Sequence, residues 1–266
     1  MSLNQTKRIQ VRSDLMHAAG VSDPGRMRSG NEDAIYLDDA GTFVLLADGM
    51  GGHERGAEAS RTALEVIREF FTPETMADEM ADITAGGGIP AEISCYLSLA
   101  ETAVRRANSV IYERNRAEGL RRFMGTTVVG LAVAPGGHVF WFHVGDSRIY
   151  RMREGVLEQI TVDHSAYNEW VRKGRNGEAP KKNIITRAIG PNPAVSASTA
   201  WETARSGDQY LLCSDGLSDM LEDERIAEII LAGGADVAQI ADSLIEAANE
   251  AGGKDNVSAI VCRTGP

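Results

Sequence analysis

Six acidic residues stand where apolar, strand-like segments of this sequence begin or end. The set comprises Glu32, Asp33, Asp48, Asp146, Asp215 and Asp255. An aspartate beside a glycine is often simply a turn residue, but a carboxylate at the end of a buried strand is costly without a partner. If the strands share one sandwich, their ends converge on one rim, and the carboxylates are expected to lie together there.

Carboxylates gathered on one rim would need cations to stay ionised. Two carboxylates about 4 Å apart repel each other by about 4 kcal/mol at an effective dielectric constant of 20. The candidate donors are oxygen atoms, and the sequence has no C-x-x-C pair and no H-E-x-x-H, which favours Mg²⁺ or Mn²⁺ over Zn²⁺. Two such ions about 3.5–4 Å apart can clamp an in-line displacement at phosphorus.

The glycines around Asp48, in LLADGMGGHERGAEAS (45–60), fit such a centre. Gly49 can turn its carbonyl towards a metal ion, and Gly51 and Gly52 allow the backbone to approach closely. Arg28, four residues before Glu32, can bind phosphate oxygens in a bidentate fashion. An ordinary surface arginine is equally consistent with its position.

Composition excludes several other classes of protein. The net charge of −11, without a basic stripe, argues against a nucleic-acid-binding protein, although acidity alone fits either solubility or metal binding. No apolar run approaches the roughly 20 residues that cross a bilayer, and the N-terminus lacks the apolar core of a secretory signal. We therefore expect a cytoplasmic protein without a membrane partner. Three scattered cysteines predict neither a disulfide framework nor a zinc–thiolate site: Cys95, Cys213 and Cys262.

Apolar periodicity predicts an α+β fold with helix pairs layered on antiparallel sheets. Strands are predicted at 14–22, 33–38, 42–47, 126–134, 139–145, 147–152, 156–161, 196–202, 209–214 and 256–263. The four strands between 126 and 161 are predicted to form one β-meander. Helices are predicted at 54–71, 93–111, 223–232 and 236–251, with Pro73 ending the first.

Eight segments in order make the chain resemble the metal-dependent protein phosphatases, the type 2C serine/threonine phosphatases, and especially their bacterial branch. The resemblance spans about residues 16–263, nearly the whole chain, and implies a single catalytic domain over 1–266 with an α-β-β-α sandwich fold. The segments are SDPGRMRSGNEDA, VLLADGMGGHERGAEAS, GTTVVGLAV, FHVGDSRIYRM, TVDHS, ITRAIG, YLLCSDGLSD and GKDNVSAIV.

The resemblance also implies roles for individual residues. Arg28 matches the family's phosphate-binding arginine, and His53 matches a histidine proposed as the general acid in this branch, although metal-bound water could supply that proton instead. The reaction implied is direct attack of a metal-bridging hydroxide on phosphoserine or phosphothreonine. Asp48 would bridge two Mn²⁺ or Mg²⁺ ions, and a third, weaker ion would lie at Asp146 with Asp215. The other implied ligands are the Gly49 carbonyl and Asp255, with Glu32 and Asp33 beside the second ion.

The flap segment, at about 163–190, departs from many bacterial members by being short and basic. Such a flap could attract acidic or multiply phosphorylated substrates, or it could be a solvated loop without a role in selectivity. The expected partner is a phosphoprotein, a Ser/Thr kinase or its target, with type VI secretion control one possibility, and we expect a monomer. The alternatives are a sporulation or stress-response phosphatase acting on an anti-sigma antagonist, and a non-catalytic pseudophosphatase.

Overall fold

Antiparallel strands form two sheets in this computed structural model, which describes residues 5–265 except 53, 84–87, 120–122 and 182. The first sheet has the order β1-β2-β12-β11-β8-β9, and the second has the order β10-β7-β6-β4-β3, with β5 paired to β4. The strands are Lys7–Arg12 (β1), Met16–Asp23 (β2), Asp33–Leu37 (β3), Phe43–Met50 (β4), Gly125–Thr126 (β5), Val128–Ala134 (β6), His138–Val144 (β7), Arg148–Arg153 (β8), Val156–Gln159 (β9), Ser198–Thr203 (β10), Gln209–Cys213 (β11) and Val257–Thr264 (β12).

Helices cover the outer face of each sheet. The helices α1 and α3 pack on the second sheet, whereas α6 and α7 pack on the first. No helix in the described ranges is both long and apolar enough to cross a bilayer. The helices are Glu54–Arg68 (α1), Pro73–Asp82 (α2), Ala91–Ala117 (α3), Ala166–Arg172 (α4), Asp215–Ser218 (α5), Asp223–Gly233 (α6) and Val237–Glu250 (α7).

Successive apolar residues of β4 pack alternately into two different core clusters, one on each face of the second sheet. Phe43 and Leu45 belong to the cluster beneath α1 and α3, whereas Val44 and Leu46 belong to the cluster between the sheets. Successive side chains of a strand point to opposite faces, so a strand that is apolar at every position must be covered on both faces. The predicted α-β-β-α sandwich is confirmed.

The predicted β-meander was wrong, because its strands belong to different sheets. The strands β6 and β7 pair in the second sheet, whereas β8 and β9 pair in the first, so the chain crosses between the sheets at residues 145–147. Gly145 makes this crossing with a φ of +107°, and a Cβ there would lie 2.6 Å from Thr127 Cγ2. Asp146 therefore lies at a crossing between two sheets rather than in a hairpin turn.

Two smaller predictions also needed correction, and one strand was not predicted. Pro73 was predicted only to end the first helix, but it also begins a further helix, α2, with Thr72 as the N-cap. Proline is well tolerated in a helix's first turn. The strand predicted to end at residue 47 continues to Met50 and carries Asp48 within it. The polar segment Lys7–Arg12 forms an edge strand that sequence reasoning missed, since its pairing with β2 leaves it half-exposed.

Candidate metal centre

Asp33 and Asp48 face each other across the β3–β4 hairpin, where they are partners in register. Asp33 is 9% exposed, and its Oδ2 accepts hydrogen bonds from Ser214 Oγ at 2.8 Å and Ser258 Oγ at 2.7 Å. Its Oδ1 is buried and has no hydrogen-bond partner among the described residues. Directly opposed like charges destabilise a strand pair, so this arrangement is not explained by stability of the hairpin.

The first sheet supplies two further carboxylates to the same place. Asp215 begins α5, with Ser214 alone between it and β11, and Asp255 stands two residues before β12. Both line a cleft of about 780 Å³, hereafter the metal cleft, together with Asp48 of the second sheet. The described residues that line this cleft include Arg28, Glu32, Asp48, Gly49, Asp215 and Asp255.

Burial and mutual repulsion raise the pKa values of Asp33, Asp48 and Asp215. The pKa of Asp48 lies well above its usual value, first through burial and then through the charges of Asp33 and Asp215. Burial raises the pKa of Asp33 to about 7, with a contribution from the charges of Asp215 and Asp255. Burial and the Asp255 charge raise the pKa of Asp215 to about 6, although a hydrogen bond with Asp48 lowers it. The carboxylates thus form one electrostatic unit.

These residues fit divalent cations by their chemistry. Within the described part of the chain, no three acidic, histidine or cysteine side chains are already drawn together as a metal cage. Asp33 and Asp146 each have a buried carboxylate oxygen with no hydrogen-bond partner among the described residues, and such oxygens are acceptors of the hard type that Mg²⁺ and Mn²⁺ prefer.

Asp146 lies outside the metal cleft. It lines a neighbouring cleft of about 800 Å³, and Asp215 lines both. Burial, followed by the charge of Asp215, raises the pKa of Asp146 to about 7. Asp146 and Asp215 thus line the same cleft, which gives their predicted pairing a geometric basis. Asp33 lines neither cleft, although it is the register partner of Asp48.

Gly49 lies in a space that admits no side chain. A Cβ there would overlap the carbonyl oxygen of Gly56 and lie 2.7 Å from that of Glu32, while the Gly49 amide donates to the Glu32 carbonyl at 3.2 Å. Glu32 is further anchored through its carbonyl, which accepts from Ser60 Oγ at 2.6 Å. The glycine therefore lets α1, the Glu32 segment and β4 meet beside the carboxylates.

We expect Gly49→Ala to lower the free energy of unfolding by about 3 kcal/mol, because overpacking a closed backbone contact costs roughly that much. Gly52→Ala is the matched control: its Cβ meets no atom of the described residues within 4 Å, so only the cost of its positive φ remains, about 1–2 kcal/mol. Urea unfolding of both variants measures the difference. Equal losses would contradict the packing argument.

Arg28 Nη2 donates to Asp255 Oδ2 at 2.6 Å, and both side chains are substantially exposed.

His53, the predicted general acid, lies outside the described residues, although its neighbours Gly52 and Glu54 line the metal cleft. Sequence reasoning missed Asn256, whose side-chain amide donates to the Pro24 and Gly30 carbonyls while its Oδ1 accepts from the Glu32 amide. The sequence feature that could have identified Asn256 as a site residue is its position directly after Asp255.

A sequence model of the family described as "Protein phosphatase 2C" matches residues 26–261. The chain belongs to the protein phosphatase 2C family. The predicted family is thereby confirmed.

Similar proteins from bacteria share this protein phosphatase 2C domain. The chain is 38% identical over 253 residues to the serine/threonine protein phosphatase PstP of Mycobacterium tuberculosis, a match that covers 93% of this chain but 45% of PstP. The chain thus spans about half the length of that relative.

Two solved structures have the same fold. The catalytic domain of a serine/threonine protein phosphatase PstP in complex with two manganese ions superposes with a TM-score of 0.74 at 35% identity, covering 95% of this chain and 99% of that one. PppA, described as a key regulatory component of the type VI secretion system in Pseudomonas aeruginosa, superposes with a TM-score of 0.78 at 30% identity, covering 94% and 98%.

Proposed function

We propose that this chain hydrolyses phosphoserine and phosphothreonine in proteins and depends on Mn²⁺ or Mg²⁺. The observation that carries the proposal is the set of half-buried, mutually repelling carboxylates along the metal cleft, with the Arg28 guanidinium beside them. Such carboxylates suit divalent cations, and a guanidinium suits a phosphate group. Similarity to the manganese-containing PstP domain supports the same chemistry.

The proposed ligands are shared between the two sheets. Asp48 and the Gly49 carbonyl would contribute from β4, and Asp215 and Asp255 would contribute from the first sheet, with Glu32 and Asp33 beside them. Asp146 with Asp215 is the proposed place of a third ion. When bound, the ions supply an activated water nucleophile and neutralise charge on the phosphoryl group.

Arg28 is proposed to orient the substrate phosphate. Its ion pair with Asp255 holds the guanidinium at the cleft, and a guanidinium has five N–H donors, of which this contact uses one. Asn256 secures the segment that carries Arg28 by donating to the carbonyls of Pro24 and Gly30. The arginine is therefore positioned for phosphate before the substrate arrives.

The deciding experiment is hydrolysis of p-nitrophenyl phosphate and of a phosphoserine peptide with Mn²⁺ and with EDTA. We expect activity with Mn²⁺, a fall to background in EDTA, and recovery when Mn²⁺ is restored, because the carboxylates alone provide no Lewis acid. Activity that survives chelation would contradict the proposal. Stoichiometric zinc in the purified protein would contradict the choice of metal.

His53 is proposed as the general acid that protonates the departing seryl oxygen. We expect His53→Gln to lower kcat for a phosphoserine peptide by about 10²-fold and to leave p-nitrophenyl phosphate hydrolysis nearly unchanged, because nitrophenolate leaves without needing a proton. His138→Gln is the control, since His138 contacts Glu92 on α3 at 2.9 Å. Equal losses on both substrates, or no loss on the peptide, would exclude the role.

The finer assignment concerns the substrate. We infer that the chain reverses phosphorylation by a bacterial Ser/Thr kinase, and its similarity to PppA supports type VI secretion as one setting. A phosphatase of the sporulation or stress-response type is the alternative, and a panel of phosphorylated kinases and anti-sigma antagonists separates the two. The single-domain, monomeric and cytoplasmic assignments stay predictions.

A further inference from the structure

A second cavity, away from the metal cleft, is lined by imidazole and guanidinium groups. Its volume is about 240 Å³, and since a water molecule occupies about 30 Å³, it has room for a tetrahedral oxyanion with a few waters. We call it the histidine pocket; its principal lining residues are Trp141, His143, His164, Arg172, Arg187 and Ser198. None of these lines the metal cleft.

Two histidines form the inner wall of the histidine pocket. The rings of His143 and His164 stack, with centroids 4.5 Å apart. His143 Nε2 lies 3.0 Å from the Val162 carbonyl oxygen, which can only accept, so we assign the ring proton to Nε2. His143 Nδ1 is then a buried acceptor, and it has no partner among the described residues, although the residue is only 5% exposed.

The second imidazole prepares a hydroxyl group to donate. His164 Nδ1 accepts from the Gly145 amide at 3.0 Å, which assigns its ring proton to Nε2. That nitrogen is 2.9 Å from Ser198 Oγ, so the serine oxygen accepts and its own proton is available for another acceptor. A ligand rich in acceptor oxygens would use that proton.

Positive charge is concentrated at the same pocket in a chain whose net charge is −11. Burial, followed by the charges of His143, Arg187 and Arg172, lowers the pKa of His164 to about 3, so both guanidiniums act on the same imidazole. The Glu169 carboxylate interacts with Thr186 and Lys173 as well as with the charge of Arg172. Its negative charge is therefore not committed to Arg172 alone.

The one acidic residue in the described lining does not neutralise the arginines. Asp163 accepts from Arg148 Nε at 3.2 and 3.1 Å and from Arg148 Nη2 at 2.9 Å. Gln159 adds a further hydrogen bond at 2.8 Å. Its charge is therefore committed to Arg148, and the pocket keeps an excess of donors and positive charge.

We propose that the histidine pocket binds a tetrahedral oxyanion, either inorganic phosphate or the phosphate group of a phosphorylated residue. Arg172 and Arg187 would supply charge-assisted hydrogen bonds, and Ser198 would donate its hydroxyl proton. A protonated phosphate oxygen would donate to His143 Nδ1 and satisfy the buried acceptor. The pocket is distinct from the site of hydrolysis.

Inorganic phosphate is the probe that tests the proposal. The ¹⁵N-labelled full chain is titrated with phosphate in EDTA, and the imidazole resonances of its five histidines are followed by NMR. We expect His143 and His164 to shift, and the apparent Kd to rise by about tenfold or more in Arg172→Gln/Arg187→Gln, since each charged hydrogen bond is worth at least that.

The matched control is Lys173→Gln/Arg175→Gln, which removes the same charge from the same flap at residues that do not line the pocket. It is expected to bind phosphate as the unmodified chain does. The proposal is overturned if phosphate leaves both imidazoles unshifted, or if the two double variants weaken binding equally. The spectrum of each variant without phosphate establishes that the histidine stack is retained.

A peptide arm distinguishes the two sources of the oxyanion, and it alone rests on the proposed phosphatase activity. If a phosphorylated residue of the substrate is the source, a doubly phosphorylated peptide has a lower KM than its singly phosphorylated form, and Arg172→Gln/Arg187→Gln removes the difference. If the difference persists in that variant while phosphate shifts the histidines, the ligand is free phosphate. A chain without phosphatase activity would still give the NMR result.

Discussion

Asp48→Asn is expected to lower kcat/KM by at least about 10³-fold with Mn²⁺, equivalent to about 4 kcal/mol of transition-state stabilisation. Asp48 is the proposed ligand with the most charged neighbours: its pKa is raised by burial and then by Asp33, Asp215, Asp146 and Asp255. An amide removes a negative charge and an anionic oxygen from the point where the two sheets meet. Steady-state assays on p-nitrophenyl phosphate and a phosphoserine peptide measure the loss.

The same substitution is expected to raise the melting temperature of the chelated protein. The Asp48 backbone is held independently of its carboxyl group, because its amide donates to Thr127 Oγ1 at 3.1 Å and its carbonyl accepts from Thr126 Oγ1 at 2.8 Å. The new amide group carries no charge, so the substitution relieves the repulsion that the Asp33, Asp215, Asp146 and Asp255 charges exert on Asp48. Exposed Asp39→Asn is the control. A variant that loses both activity and stability would indicate misfolding instead of a lost ligand.

The second large effect concerns pH. In EDTA, the free energy of unfolding is expected to fall by several kcal/mol between about pH 4 and pH 7, since one pKa unit corresponds to about 1.4 kcal/mol. Burial raises the pKa of Asp33 and of Asp146 to about 7, and that of Asp215 to about 6, from 3.8. In this range the folded state retains protons that the unfolded state has lost, so stability decreases as pH rises.

Added Mn²⁺ is expected to reverse that slope. Cation binding requires deprotonated carboxylates, and a ligand that binds only the folded state stabilises it by mass action. Urea unfolding from about pH 5 to pH 7.5, with EDTA and with Mn²⁺, measures both curves. A chelated protein that becomes more stable over this range would contradict the assigned pKa shifts, and parallel curves would contradict cation binding at the carboxylates.

Much of the fold was predictable because local patterns specify it. Apolar runs predicted the strands β3 and β4, and in the hairpin that joins them Asp38 Oδ1 accepts from the amides of Thr42 and Phe43. Helical periodicity likewise predicted α1, α3, α6 and α7. Which sheet a strand joins was not predictable in the same way, since adjacent strands β7 and β8 separate through a three-residue crossing whose only local signal is Gly145.

The candidate site was likewise predictable from the sequence only in part. Carboxylates at strand boundaries pointed to a shared rim, and Asp48, Asp215 and Asp255 do line one cleft. Asp33 does not line that cleft, and its position depends on the hydroxyl groups of Ser214 and Ser258, which are 181 and 225 residues away in the sequence. Serine is common and carries no periodic signal, so such remote partners become visible only in three dimensions.

The division of the carboxylates between the sheets has a mechanical consequence. Asp33 and Asp48 belong to one layer, whereas Asp215 and Asp255 extend from the other, so any sliding of one layer over the other separates them. Cations held by Asp48 together with Asp215 and Asp255 would cross-link the layers. Loading would then make the two layers lose their amide-exchange protection together, in one cooperative opening, and the protein would be most rigid when its metal ions are bound.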